Sequence, residues 1–165
     1  MLKSFIGLLV YGLLAMVQIG CSGQSENQFD EFAPFSIERD TGSVTLPKAL
    51  PVGVWKGLLV VKFNSDCHMC CDKMNAMIRE EKVLDEFAIV LISSEEWPAI
   101  KSFEMEYQLT NKSNYLVGQT NEEDFYKRFN AVGAPFTAVF NERGEEVYRF
   151  DGNASLLPIL RAFFE

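Results

Sequence analysis

Cys67 and Cys70 stand three residues apart in Cys67-His68-Met69-Cys70. Two thiols at that spacing on a helix start meet across one turn, within disulfide reach. Before them, Leu58-Leu59-Val60-Val61-Lys62-Phe63 is a mostly continuous apolar run that suits a buried strand. Asn64-Ser65-Asp66 then supplies helix-start residues, and Met69, Met74, Met77 and Ile78 are compatible with one apolar helical face extending to about Arg79. At such a start, backbone N–H groups and the helix dipole favour negative charge, so the Cys67 thiol is expected to titrate below the reference value of ~8.5. Thiol–disulfide exchange is the chemistry this predicts: Cys67 attacks, and Cys70, deeper in the helix, resolves the mixed disulfide. His68 as an imidazolium would favour the thiolate further, or else it points to solvent; together with Met69 it forms the dipeptide that tunes the redox potential.

The flanking sequence says what must position that pair. Two short extended pieces surround the turn Asp40-Thr41-Gly42 between Phe35 and Leu50. Ala88 to Ile92 is a second buried-strand candidate, and Trp97 to Leu109 has apolar residues near helical spacing, opened by Ser94-Glu95-Glu96. Tyr115-Leu116-Val117 reads as a short strand. Asn121 caps a helix with Glu122, Glu123 and Asp124 in its first turn, and Gly133-Ala134-Pro135 is expected to stop it. Phe136 to Phe140 and Glu146 to Phe150 make a hairpin around Asn141 to Gly144, and Ser155 opens a last helix with Phe163 and Phe164 on its packing face. Strands alternating with helices predict an α/β domain: a central mixed β-sheet with helices on both faces and an N-terminal β-hairpin.

The first residues read differently. Lys3 precedes the uncharged apolar run Phe5 to Val17, which is short for a membrane span and suits an export signal. Val17-Gln18-Ile19-Gly20-Cys21 resembles a bacterial lipobox, with Gln18 where an aliphatic residue is usual. Cys21 would then be lipidated and tie the chain to the membrane, the alternatives being an uncleaved anchor or cleavage without lipid. The expected organisation is a signal peptide over 1–20, a flexible tether over 21–34 and one domain over 35–165. Fifteen Lys and Arg against 23 Asp and Glu, a net charge of −8, argue against nucleic acid as a partner. Nothing in the sequence demands more than a monomer.

The segment Phe63 to Cys70 resembles the active-site loop of thioredoxin-like proteins. Val132 to Phe140, with the hairpin after it, resembles the Gly-x-Pro landmark of the same fold. The lipoprotein-type leader and the extended start at Phe35 are similar to the membrane-anchored TlpA/ResA-like branch. The resemblance implies a thioredoxin-like fold with Pro135 cis beside the Cys pair, and an Ala134 backbone that offers strand-like hydrogen bonds to a substrate. It also implies that Glu95 is an acidic residue near the site. No cofactor is implied. The implied substrates are exported proteins, with reduction the favoured direction, on the periplasmic side of the membrane, resupplied by a membrane or periplasmic electron donor.

The chain departs from thioredoxin in having Asp66 where an aromatic precedes the first Cys, and Val61 where a buried Asp lies on the preceding strand. The odd thiol, Cys71, completes Cys67-x-x-x-Cys71, the spacing of SCO-type copper chaperones. Those need a distant His, and His68 is the only His in the chain, so a copper site would rest on sulfurs alone. A structural zinc site would need a second Cys pair. A redox-inert binding module on the same frame would not require two thiols at a helix start.

Overall fold

The computed structural model describes residues 28–156 together with 158, 160 and 163; the expected signal peptide, Cys21 and Phe164 lie outside the described residues. In chain order the elements are β1 (Phe35–Arg39), β2 (Gly42–Leu46), β3 (Gly57–Lys62), α1 (His68–Arg79), α2 (Glu81–Leu84), β4 (Phe87–Ser93), α3 (Trp97–Glu106), β5 (Tyr115–Gln119), α4 (Glu122–Phe129), β6 (Phe136–Asn141) and β7 (Glu146–Asp151). A 3₁₀ turn, Leu109–Asn111, follows α3. Pro158 and Leu160 are helical, and the Leu160 N–H donates to the Leu156 carbonyl at 2.9 Å.

The seven strands form one sheet in the order β2-β1-β5-β4-β3-β6-β7. β3, β4 and β5 run parallel, whereas β6 lies antiparallel to β3 and β7 antiparallel to β6. Every residue of β3 and β4 is buried. Apolar groups are therefore needed on both faces, which explains the unbroken hydrophobic runs. Leu59, Val61, Ile89 and Leu91 face one core with Met74, Met77, Ile100, Phe103 and Leu160. Leu58, Val60, Val90 and Ile92 face the other with Phe125, Phe129 and Phe136. The Phe125 and Phe129 rings lie 4.7 Å apart, tilted by 36°, on one face of α4 as their spacing predicts.

Several boundaries differ from expectation. Residues 28–34 belong to the domain and are no tether, because Phe29 and Phe32 are buried in the second core. The Phe29 N–H donates to the Glu142 carbonyl at 2.9 Å. α4 ends at Phe129 through the left-handed residue Asn130 (φ 49°), before the Gly133-Ala134-Pro135 segment is reached. β5 runs two residues further than its apolar core, because Gly118 and Gln119 continue the pairing with Ile92 and Ser93.

Lys62, at the end of β3, is fully buried. Its ammonium pairs with Glu122 at the start of α4 and lies 4.8 Å from the centre of the Phe125 ring. Glu122 also accepts from the Ser94 hydroxyl, so one carboxylate ties β3, the end of β4 and α4. These two hydrogen bonds hold its carboxyl below the usual carboxylate range. The stabilisation is therefore present above that range and lost as pH falls through the lowered value. Glu122→Ala leaves the Lys62 ammonium without a counter-ion. Because Glu122 is more than half exposed, the expected cost is about 2 kcal/mol, below the ~3–5 of a fully buried pair. Urea unfolding at pH 7 measures it, and a parental midpoint would show that water replaces the carboxylate.

Candidate active site

Parallel strands β3, β4 and β5 end on the same edge of the sheet, and the chain segments that leave that edge build the site. Asn64 to Asp66 carries the chain from β3 into α1, and Cys67 is the N-cap of α1. Its carbonyl accepts the N–H groups of Cys70 at 2.9 Å and Cys71 at 3.0 Å. Its sulfur accepts the same Cys70 N–H at 3.3 Å. A cysteine here fills the place of a Ser or Asp cap, with sulfur facing the unpaired donors of the first turn. Cys67 is partly exposed and Cys70 is 2% exposed.

The antiparallel register of β3 and β6 brings the second landmark to the same place. Lys62 lies opposite Phe136, so the Ala134-Pro135 peptide, which is cis, falls beside the loop after β3. The Cys67 thiol is 3.8 Å from the Ala134 carbonyl oxygen, its acceptor. Pro135 is buried, and Val132 and Met69 stand 74% and 50% exposed on this face. Gly133 reaches Ala134 with φ 81°, a left-handed backbone that glycine adopts without strain.

The two sulfurs have opposite surroundings. Burial pushes the Cys70 thiol up to about 12, and the neighbouring Cys67 adds to the rise. The Asn64 N–H, 3.4 Å from the Cys70 sulfur, works in the other direction. Cys70 is therefore protonated at neutral pH while Cys67 stays accessible. Cys71 turns away from both: its thiol donates to the Ser65 carbonyl at 3.9 Å and meets the Tyr107 hydroxyl. Burial and this cysteine raise the Tyr107 hydroxyl above its ordinary value. The Cys67 and Cys70 thiols thus face each other, while Cys71 bonds elsewhere. Among the described residues, no group of three or more His, Cys, Asp and Glu is arranged to hold a metal ion.

Glu95 reaches the site through the loop. Its carboxylate accepts the Ser65 N–H at 2.6 Å, the Ser65 hydroxyl at 2.9 Å and the Ser93 hydroxyl at 3.1 Å. Gln119 from β5 donates to the Glu95 carbonyl at 2.7 Å. Glu95 is thus a positioning residue for the turn before Cys67. Its hydrogen-bond partners are Ser65, Ser93 and Gln119, and neither sulfur is among them. His68 is largely in solvent, with its Nδ1 3.2 Å from the Asp72 carboxylate four residues on. The ring is therefore directed along the outer face of α1, as in the solvent alternative.

Lys73 has no counterpart in the sequence reading. It is 2% exposed, donates to the Ala154 carbonyl and lies 4.2 Å from the centre of the Phe150 ring. It also borders a void of about 10 Å³ behind Cys70, shared with Val61, Phe63, Met74 and Pro135. Its position between Cys70, Met74 and Met77 on one helical stripe was the available signal, since a cation inside an apolar stripe must be buried or snorkel.

Solved structures resemble this arrangement over most of its length. An uncharacterized thioredoxin-like protein of Porphyromonas gingivalis matches with a TM-score of 0.61 at 18% identity, covering 83% of this chain and 94% of that one. The thioredoxin domain of a thiol-disulfide oxidoreductase from Bacteroides vulgatus gives 0.62 at 17%, covering 81% and 94%. StoA from Bacillus subtilis gives 0.53 at 14%, covering 81% and 97%. The fold is thioredoxin-like. No family model matches the chain, and no curated protein matches its sequence. On this thioredoxin-like frame Cys67, Cys70 and Pro135 converge at one edge, with Glu95 one loop away.

Two outcomes follow from the geometry. Glu95→Ala leaves the Ser65 N–H without its acceptor and is expected to cost about 1–3 kcal/mol in urea unfolding. Glu95→Gln, which keeps an acceptor, should recover part of that loss. For Lys73, burial draws the amine down to about 8 from 10.5. Below pH 8 the folded protein holds an ammonium out of water, whereas the unfolded chain solvates it. Between pH 8 and 10.5 the unfolded state binds more protons, so this group makes stability rise with pH. Lys73→Met should raise stability at pH 7 by about 1–3 kcal/mol. The gain should shrink across pH 8 to 10, and one constant over that range would contradict the assignment.

Proposed function

We propose that the protein is a thiol–disulfide oxidoreductase acting on exported proteins through the Cys67–Cys70 pair. The observation that carries this reading is the division between the sulfurs. Cys67 is accessible and receives an N–H at the helix start, whereas Cys70 is buried and held as a thiol directly behind it. In the reductive direction, the Cys67 thiolate attacks one sulfur of a substrate disulfide. A Cys67–substrate S–S bond forms, the substrate S–S bond breaks, and the released substrate thiolate takes a proton. Cys70 then gives up its proton and attacks the Cys67 sulfur. The Cys67–Cys70 disulfide forms and the second substrate thiolate leaves, so the substrate gains two electrons that the pair loses. A dithiol donor outside this chain returns them.

The same surface supports a peptide-binding role. Ala134 presents its backbone beside Cys67, and the exposed Met69 and Val132 give an extended substrate apolar contacts on either side. Reduction as the direction, and a site on the outer face of a bacterial cytoplasmic membrane, rest on the leader and on the TlpA/ResA-like resemblance. In that reading Cys21 carries the lipid and the apolar run before it is the export signal.

Insulin disulfide reduction with dithiol regeneration tests the exchange. Cys67→Ser is expected to fall to background. Cys70→Ser is expected to accumulate a mixed disulfide that survives denaturing electrophoresis without reductant. Parental rates in both variants would overturn the proposal.

A further inference from the structure

The sheet has a second pole, at the edge opposite Cys67. Here the loop between β2 and β3 carries Val52 and Val54, the two most exposed large apolar side chains among the described residues, at 104% and 94%. The loop is shaped to present them. The Trp55 indole is turned back, donating to the Pro51 carbonyl at 3.0 Å and packing against the second core. A side chain at Gly53 would collide with that indole, 2.5 Å from its nearest atom. Trp55 thus closes the loop from beneath while both valines stand in solvent. The amides of Val52, Gly53 and Val54 have no hydrogen-bond partner among the described residues.

The chain enters the domain at this same pole. Gln28 accepts the Trp55 N–H at 3.0 Å and returns a bond from its own amide to the Trp55 carbonyl. Phe29 and Glu31 then donate to Glu142 and Arg143 in the β6–β7 turn, at 2.9 and 2.7 Å. Only six residues, 22–27, separate Cys21 from Gln28. Seven Cα–Cα steps of at most ~3.3–3.6 Å each put a lipid at Cys21 within about 25 Å of Gln28, which bonds to Trp55 under the valine loop. Behind the valines, Lys56 and Glu86 pair at 2.7 Å.

We infer that the Val52-Gly53-Val54 loop rests on the lipid bilayer to which the N-terminal segment ties the chain, so that Cys67 faces away from the membrane. The inference builds on the membrane-tether reading above. β3 starts directly after the loop and points at Cys67. Its six residues, at ~3.3 Å each, separate the two poles by about 20 Å, with further loop at each end. Substrates would then be soluble chains approaching from the aqueous side, not segments lying in the bilayer.

Millisecond hydrogen exchange on the full chain, free and on phosphatidylcholine vesicles, tests this. The amides of residues 52–54 should exchange several-fold more slowly on vesicles, while those of 66–71 stay unchanged. Val52→Asp combined with Val54→Asp should abolish the protection without releasing the chain from the vesicles. Both valines are solvent-exposed, so the fold should survive, as circular dichroism checks. A chain that floats with vesicles but shows no protection at 52–54 overturns the loop contact alone. A chain that does not float overturns the tether and the contact with it. Protection already present without vesicles assigns the valines to residues 1–27 or, if it grows with protein concentration, to a second copy, and overturns the bilayer as occupant.

Discussion

The burial of β3 on both faces is the constraint from which the rest of the structure follows. A strand with no solvent-facing side cannot stand at an edge, so it needs hydrogen-bonding neighbours on both flanks and apolar layers above and below. β4 supplies one flank in parallel and β6 the other in antiparallel sense. A parallel neighbour requires a crossover, which is α1, and the crossover places a helix N-terminus at the strand's exit. An antiparallel neighbour enters at that same edge. Cys67 and Pro135, distant in sequence, meet because one strand ends where another begins.

That arrangement also sets the electrostatics. α1 must lie on the sheet, so its inward stripe of Cys70, Lys73, Met74 and Met77 is buried while Cys67, at the cap, stays at the rim. Two chemically identical groups acquire different roles from a displacement of one helical turn. Desolvation keeps the inner thiol protonated, and the outer sulfur accepts the Cys70 N–H in the first turn. Nothing acidic stands at Val61 to take the inner proton, and Glu95 is spent on bracing Ser65.

The sequence made the strands, most helices and the Cys pair readable because each rests on local signals: unbroken β-branched runs, an Asn cap followed by three acids, two Cys at one-turn spacing. What it hid depends on distant partners. Lys62 and Lys73 look like surface cations until Glu122 and the Ala154 carbonyl arrive from 60 and 81 residues away. Phe29 and Phe32 follow a polar stretch, and the core they fill is built by strands and a helix distant in sequence. Glu95 was placed near the site by family likeness, yet its function there, holding a loop amide, is a matter of geometry that no spacing rule encodes.

The parallel strands β3, β4 and β5 make the two poles of the sheet inequivalent. Strand C-termini collect helix N-termini, where N–H groups face outward and a thiolate gains support. Strand N-termini are met by helix C-termini and by returning loops, such as the loop of Val52 and Val54 before β3. The chain enters beside Trp55, at the pole where β3 starts, so the proposed tether on its N-terminal side would draw that pole toward its anchor and leave the pole of the helix N-termini outermost. In that proposal the orientation of the chemistry relative to the anchor follows from the direction in which β3 runs. No residue of the active-site loop needs to take part in it.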